Sequence, residues 1–376
     1  MFSLHIDSAR TWRGGQNQVL LTVNGLRGIG QRAALVAHPD GELRRRAAEG
    51  LELVPLAPRT EIDLTAAFRL SRVLRRLRPD VVHAHDPHAV AMAGLALPMA
   101  GAAVAPPLVA SRRVDFHLKA NSFSRWKYRQ VDCFIAASEA IRQMLIGDGV
   151  PEARTVTVHE GIDIDHVLAV PPVNVHEAFW LPHHAPVVGN VAALAPHKGQ
   201  RHLIDAAHLV VQAVPDARFV ILGEGELRES LERQVREHHL EKHVLLPGFR
   251  PDVLGCIKGF DVFVMSSVTE GLGTSLLDAM ACARAVVATR TGGIPEVVAD
   301  GETGLLVPPR DHHALADAII RLLGDRAARE TMGRAGLARV RECFSLDRMV
   351  AGTAAVYGRV AGTHHAADSA CPAGGG

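Results

Sequence analysis

Short apolar, β-prone runs recur along this chain, and each leads within a few residues into a stretch of helical character. Residues 2–6, 32–37, 186–194, 219–222, 261–265 and 285–289 are examples. Runs this short and this apolar read as buried parallel strands, and their alternation with helices points to doubly wound α/β layers rather than an all-β or all-α fold. At 376 residues and 48% hydrophobic content the chain has material for two domains, each with its own core, and is not a disordered polymer. A proline-marked connection between 169 and 186 sets the expected boundary: a first domain over 1–170 and a second over 171–344. Residues 345–360 read as a further helix, and 364–376, poor in apolar residues and ending in three glycines, as a disordered tail.

The segment richest in chemistry follows the strand at 261–265. Glu270 and Asp278 stand eight positions apart across a strand-to-helix turn containing Gly271, Leu272, Gly273 and Thr274. In an open α/β sheet such a turn lies at the carboxyl edge of the strands, where ligands bind, and glycines let a ligand approach the backbone closely. Free amides at the helix start favour an anion, with Glu270 just before them and Asp278 about two turns into the helix. A carboxylate on each side suits a ligand carrying hydroxyls and a phosphate. The plainer alternative is a buried turn whose glutamate caps the helix. The next strand, 285–289, runs into Thr291-Gly292-Gly293-Ile294-Pro295-Glu296-Val297-Val298, so two consecutive strand ends carry glycine-rich, acid-bearing loops. Asp300-Gly301-Glu302-Thr303-Gly304-Leu305-Leu306-Val307-Pro308 follows. Earlier, Pro196-His197-Lys198-Gly199 precedes a helix, where a lysine adds a full cation to free amides and suits a diphosphate.

This ordered set of motifs resembles the donor-binding signature of the group 1 (family 4) retaining glycosyltransferases of the GT-B fold. The resemblance implies two doubly wound Rossmann-like domains facing across a cleft, with donor on the second domain, acceptor on the first and a final helix over 345–363 crossing back to the first. It implies that Lys198 pairs the donor diphosphate and that Glu270 faces the sugar hydroxyls. Asp278, in place of the usual glutamate, would then grip the ribose. Gly223, the loop at Gly248 and Phe249, and Glu296 join the expected donor contacts, and the Gly14–Gly15 loop is expected to close over the donor phosphate. No metal or other cofactor is implied. Three departures stand out: Ala193 where the family carries an arginine, Arg113 where many members carry a histidine, and Glu160 where an asparagine is usual. A non-catalytic nucleotide-sugar binder, an epimerase and a phosphorylase on the same fold remain as alternatives, whereas a nicotinamide dehydrogenase is disfavoured because Gly223-Glu224-Gly225 lacks the third glycine of a dinucleotide fingerprint.

In the first half, His83, His85 and His88 invite a metal reading. It is set aside because His83 and His85 leave the same strand face and no spaced ligand set accompanies them. His85, Asp86 and Arg113 are instead candidates for acceptor or cleft contacts. Residues 1–130 carry 19 Lys and Arg against 10 Asp and Glu, while the remainder carries 22 against 30. Arg44, Arg45 and Arg46, and Arg69, Arg72, Arg75, Arg76 and Arg78 on a helix over 64–77, supply much of that excess. It suits a glycan or lipid-linked acceptor and peripheral association with an anionic membrane; the alternative is an ordinary solvated arginine-rich face. Nucleic acid is a poor partner for a chain with no recognition module and few aromatics. The uncharged stretch 89–110 is broken by Pro98, Pro106 and Pro107, so helix, turn and buried strand are expected there rather than a membrane span. Without a signal-peptide pattern, and with Cys133, Cys256, Cys282, Cys343 and Cys371 forming no pair or metal spacing, the expected setting is cytoplasmic, at the inner face of the membrane.

Overall fold

The computed structural model describes the chain apart from residues 48, 49, 102, 103, 120 and 370–376. Two compact units form, one from Met1–Gly161 with the terminal helix and the other from Ile162–Ser345. The first alternates β1 (Phe2–Asp7), α1 (Gly14–Gly28), β2 (Arg32–Ala37), α2 (Glu42–Arg46), β3 (Glu52–Pro55), α3 (Leu64–Leu77), β4 (Val81–Ala84), α4 (Pro87–Ala100), β5 (Leu108–Arg112), α5 (Ser122–Arg129), β6 (Cys133–Ala136), α6 (Glu139–Gly147) and β7 (Thr155–Thr157). Its seven parallel strands lie in the order β3-β2-β1-β4-β5-β6-β7. Strands β1, β4 and β6 are buried along their whole length, as strands of a parallel sheet covered on both faces are, although β1 and β4 bury Ser3, His5, Asp7 and His83 among their apolar residues.

The second unit runs through α7 (Ile164–Ala169), α8 (Val175–Ala178), β8 (Val187–Val191), α9 (Gln200–Ala213), β9 (Arg218–Leu222), α10 (Arg228–Glu237), β10 (Val244–Gly248), α11 (Val253–Lys258), β11 (Val262–Met265), α12 (Thr274–Ala281), β12 (Ala285–Thr289), α13 (Ile294–Val297), β13 (Gly304–Val307), α14 (His312–Gly324) and α15 (Arg326–Cys343). Six parallel strands take the order β10-β9-β8-β11-β12-β13. In each sheet the order reverses once, between β1 and β4 and between β8 and β11. Crossovers leave such a pair toward opposite faces, opening a crevice at its carboxyl end where a ligand fits.

Two boundaries differ from the sequence expectation. The division falls at 161/162, ahead of the proline-marked connection, because Val167, Val175, Phe179 and Leu181 pack with Val187, Phe260 and Leu277 in the second core. The last helix, α16 (Leu346–Ser369), starts one residue later than expected and continues past 363, and the rest of the expected tail, 370–376, lies outside the described residues. It belongs to the first unit, where Val350, Val356, Tyr357 and Val360 pack with Leu26, Val81, Val109 and Cys133.

One contact in the second core leaves no slack. A methyl group on Gly189 of β8 would lie 1.9 Å from the ring of Phe260. Overpacking of this kind costs about 1–3 kcal/mol. Gly189→Ala is therefore expected to lower the urea midpoint, and Gly189→Ala with Phe260→Leu to recover part of the loss; an unchanged midpoint in the single variant would contradict this packing.

Candidate functional site

Helix ends sort the loops at the sheet edges. Asp63, Asp86, Asn121, Ser138 and Asp311 each accept hydrogen bonds from first-turn amides of the helices they precede. By contrast α1, α9 and α12, the helices that follow β1, β8 and β11, begin without a side-chain cap. Both helices of the β8/β11 pair thus present first-turn amides without a side-chain cap, where an anion gains from them; α2, α10, α11 and α13 also begin uncapped, and α4 at the other switch point does not.

In the second unit the loops after β8 and β11 meet across the switch point. Lys198 Nζ donates to Glu270 Oε2 at 2.7 Å, and Ser267 Oγ donates to the same oxygen at 2.9 Å. Both partners of the ion pair are largely shielded, with side chains 20% and 11% exposed, so the pair is poorly screened yet within reach of a ligand. Backbone contacts fix the frame: Val268 N–H donates to the His197 carbonyl, and Ser266 Oγ to that of Lys198. The third loop closes in from β12, where Gly293 N–H donates to the carbonyls of Glu270 and Gly271. Gly292 has φ 51°, and a Cβ there would lie 1.7 Å from the Glu270 carbonyl oxygen, so only glycine lets this loop come so close.

Asp278 stands about one turn into α12, nearer its start than the sequence suggested. Its half-buried carboxyl has no hydrogen-bond partner among the described residues, and burial pushes it up to about 7. Gly271 and Gly273 are buried at the turn, Thr274 opens α12 half-buried, and Leu272 is in the core, where its side chain serves packing. Gly223 is held by chain crossing, since a Cβ there would lie 1.9 Å from the Ala192 carbonyl oxygen. Its N–H donates to the Gly248 carbonyl, and the adjacent Phe249 is 56% exposed. Glu296 lies on α13, its carbonyl accepting from Arg339. Arg201 is exposed beside His202 on α9, and Gln200 donates to the Ala193 carbonyl.

In the first unit, Gly14 and Gly15 open α1, and a Cβ on Gly15 would meet nothing within 4 Å. Asp86 is committed elsewhere: its carboxylate accepts from the amides of His88, Ala89 and Ser8 and from the Ser8 hydroxyl, capping α4. His85 joins a buried network. Arg113 donates to His85 Nδ1 at 3.1 Å, His85 Nε2 lies 2.9 Å from His5 Nδ1, and His5 Nε2 lies 3.0 Å from Ser3 Oγ. Because the guanidinium only donates, His85 must carry its proton on Nε2 and pass one hydrogen bond to His5. His83 is held between Tyr357 at 2.6 Å and Ser111 at 2.8 Å. Burial drives His5 down to about 3 and the other two well below their ordinary value, so all three are neutral. His5, His83 and His85 lie close enough together to be weighed as metal ligands, but every ring nitrogen already has a partner and the Arg113 cation abuts the group. Arg113 Nε also pairs with Glu160 Oε1 at 3.0 Å, so two departures from the family pattern meet in one ion pair. Sequence reading passed over His5 and Tyr357; the alternation that turns His83 and His85 inward was the available signal for a third strand histidine facing them.

Two Rossmann-like units of this kind, with a cation–carboxylate pair and open helix starts at the switch point, define the GT-B class of fold. Residues 175–339 match the family described as glycosyl transferases group 1, and residues 12–166 match glycosyltransferase family 4. The chain belongs to this group 1, family 4 set of nucleotide-sugar-dependent, retaining glycosyltransferases. It is 26% identical over 302 residues to the N-acetyl-α-D-glucosaminyl L-malate synthase of Bacillus anthracis, covering 78% of each chain. Over 197 residues it is 35% identical to a GDP-mannose-dependent α-(1-6)-phosphatidylinositol monomannoside mannosyltransferase of Mycolicibacterium smegmatis, covering 50% of this chain and 51% of that one. Its fold matches HepE of Anabaena, solved with UDP and glucose, with a TM-score of 0.83 at 21% identity over 96% of this chain and 100% of that one.

Asp278 makes the site pH-sensitive. A carboxyl raised from 3.8 to about 7 keeps its proton in the folded state after the unfolded chain has lost it, so its stabilising effect is full below pH 3.8 and is lost as pH rises through 7. Asp278→Asn is expected to melt higher than wild type at pH 8 and level with it at pH 3.5; equal melting at both pH values would contradict the assignment.

Proposed function

We propose that the carboxyl edge of the second sheet holds the nucleotide diphosphate sugar and that the enzyme passes the sugar, with retention, to a glycan or lipid-linked acceptor in bacterial envelope polysaccharide or lipopolysaccharide assembly, on the cytoplasmic side of the membrane. The observation that carries this reading is the Lys198–Glu270 pair at 2.7 Å across the β8/β11 switch point. Each group offers the other what a donor would supply: an anion for the ammonium and hydrogen-bond donors for the carboxylate. Donor entry exchanges the internal pair for two external ones, the diphosphate on Lys198 and the uncapped helix starts, and the sugar hydroxyls on Glu270. In this reading Asp278 accepts from the ribose, a role its half-buried, unpartnered carboxyl supports.

In this reading the bond between the sugar's anomeric carbon and the diphosphate oxygen breaks while the acceptor oxygen bonds to that carbon on the same face, and the acceptor proton passes to the leaving phosphate. Charge grows on the diphosphate as the bond breaks, and Lys198 with the fixed amides meets it without reorganising. The lipid-linked acceptor is supported by the mannosyltransferase from Mycolicibacterium smegmatis, whose name gives a phosphatidylinositol mannoside as acceptor, and by the fold shared with the lipopolysaccharide outer core galactosyltransferase WaaB, at a TM-score of 0.71 and 15% identity.

Glu270→Ala is expected to lower transfer about 10²–10³-fold with circular dichroism unchanged, the loss typical of one preorganised electrostatic contact. Lys198→Ala is expected to weaken nucleoside diphosphate more than nucleoside monophosphate, and the double variant to lose less than the two single losses combined. Near-normal turnover in Glu270→Ala, with released sugar and transferred sugar counted separately, would contradict the site.

A further inference from the structure

We propose that the exposed face of α3 is a docking surface for an anionic lipid bilayer. The helix buries Ala66, Ala67, Leu70, Ser71 and Leu74 against the first core and turns Arg69, Arg72, Arg75 and Arg76 outward, with Arg78 exposed just beyond its end. None of these five guanidinium groups makes a hydrogen bond or an ion pair with another described residue. The other arginine cluster differs: Arg45 and Arg46 pair with Glu42, Arg46 also covers Trp12, and Arg44 donates to the Pro39 carbonyl. Like charges three and four residues apart on one helix repel each other. A face that keeps four of them without a compensating carboxylate is open to neutralisation by an anionic surface.

The second observation concerns what stands beside those charges. Ile62, Leu64 and Phe68 are 56%, 58% and 53% exposed. At 3.6 residues per turn, Leu64, Phe68, Arg72 and Arg75 fall within roughly 80° of arc, so one strip of the helix carries two apolar side chains and then two cations. Apolar side chains that enter the headgroup boundary, with arginines that meet lipid phosphates, are what a helix lying in a membrane interface presents. A nucleic acid backbone would use the arginines and leave Leu64 and Phe68 in water. No helix among the described residues is long and apolar enough to cross a membrane, so the contact is one of surface docking.

Placement adds a functional consequence. The first turn of α3 follows the carboxyl end of β3, so its apolar end stands at the same sheet edge as α1's open start and Arg113. Glu61, beside Ile62, is paired with Lys127, and that hydrogen bond lowers its carboxyl from the ordinary value, with Lys119 also nearby. The apolar tip is therefore bordered by lysines from α5 and from the loop after β5. A lipid-linked acceptor would be met at this edge as it leaves the bilayer. The docking surface itself does not rest on the transferase reading.

Flotation of the full chain with vesicles, without donor, tests it. Strong, salt-weakened binding is expected to vesicles of phosphatidylcholine mixed with phosphatidylglycerol, and little to phosphatidylcholine alone. Replacing Arg69, Arg72, Arg75 and Arg76 together by Gln should weaken binding at least about a hundredfold, at roughly fivefold per arginine. Leu64→Ser with Phe68→Ser should weaken it too while leaving the salt dependence in place; all six side chains are exposed, and circular dichroism verifies the fold. Equal binding to neutral vesicles, or none to anionic ones, would overturn the proposal. So would displacement of the vesicles by duplex DNA with the Leu64/Phe68 variant indistinguishable from wild type, which would make α3 a polyanion surface. Nucleotide-sugar binding measured on the same samples keeps failure here apart from failure of the donor site.

Discussion

The reversal of strand order between β8 and β11 is the constraint on which the chemistry depends. Neighbouring parallel strands whose crossovers leave on opposite faces cannot cover the crevice between their carboxyl ends, and two loops must face each other there. In this chain those loops bring Lys198, from the first strand of the second unit, against Glu270, from the fourth. A 2.7 Å ion pair holds two side chains 72 positions apart in sequence without filling the site. In the proposed reading it costs little to exchange, because a charged, hydroxylated ligand would return equivalent contacts to both partners. Uncapped helix starts in the same crevice keep the backbone donors available, whereas most helices outside the two switch-point pairs that begin after Asp, Asn or Ser have theirs satisfied.

The corresponding reversal in the first unit is filled in another way. Directly paired positions on β1 and β4 place His5 opposite His83, and His85 two residues on closes the group. Three imidazoles held neutral in a buried cluster are costly below about pH 6.5, where the unfolded chain would take up protons that the folded one refuses. What the arrangement secures is direction. Arg113, neutralised by Glu160, can only donate, and so it fixes the tautomers of His85 and then His5. Between Arg113, Glu160, His83 and Thr353 the remaining cavity is about 20 Å³, room for a water and not for a sugar ring. The open part of this edge is the start of α1.

Much of this was legible because buried parallel strands are written as local apolar runs and their loops as glycine-rich punctuation. The strands at 261–265 and 285–289, the turn holding Glu270 and the lysine ahead of α9 all follow from neighbours in sequence. Long-range pairing was not legible. That Arg113 meets Glu160, or that His5 completes a cluster with His83 and His85, follows from strand order and register, which local patterns do not encode. Capping misled as well: Asp86 looks free in a strand-end motif, yet its oxygens are taken by α4 and Ser8. The proline-rich connection suggested a linker, but a few apolar residues at regular helical spacing were enough to bind α7 and α8 into the second core. Exposure is the other missing quantity, since Arg44–Arg46 and the α3 arginines read alike until their partners are known.

The central claim is that the crevice between β8 and β11 is built for a nucleotide diphosphate sugar. Calorimetric titration of the intact protein against a panel of nucleoside monophosphates, diphosphates and diphosphate sugars tests it most directly. The account predicts selective binding of one base, with diphosphate stronger than monophosphate, and an increment from the sugar that vanishes in Glu270→Ala. Equal affinity for mono- and diphosphates, or no binding across the panel, would contradict it.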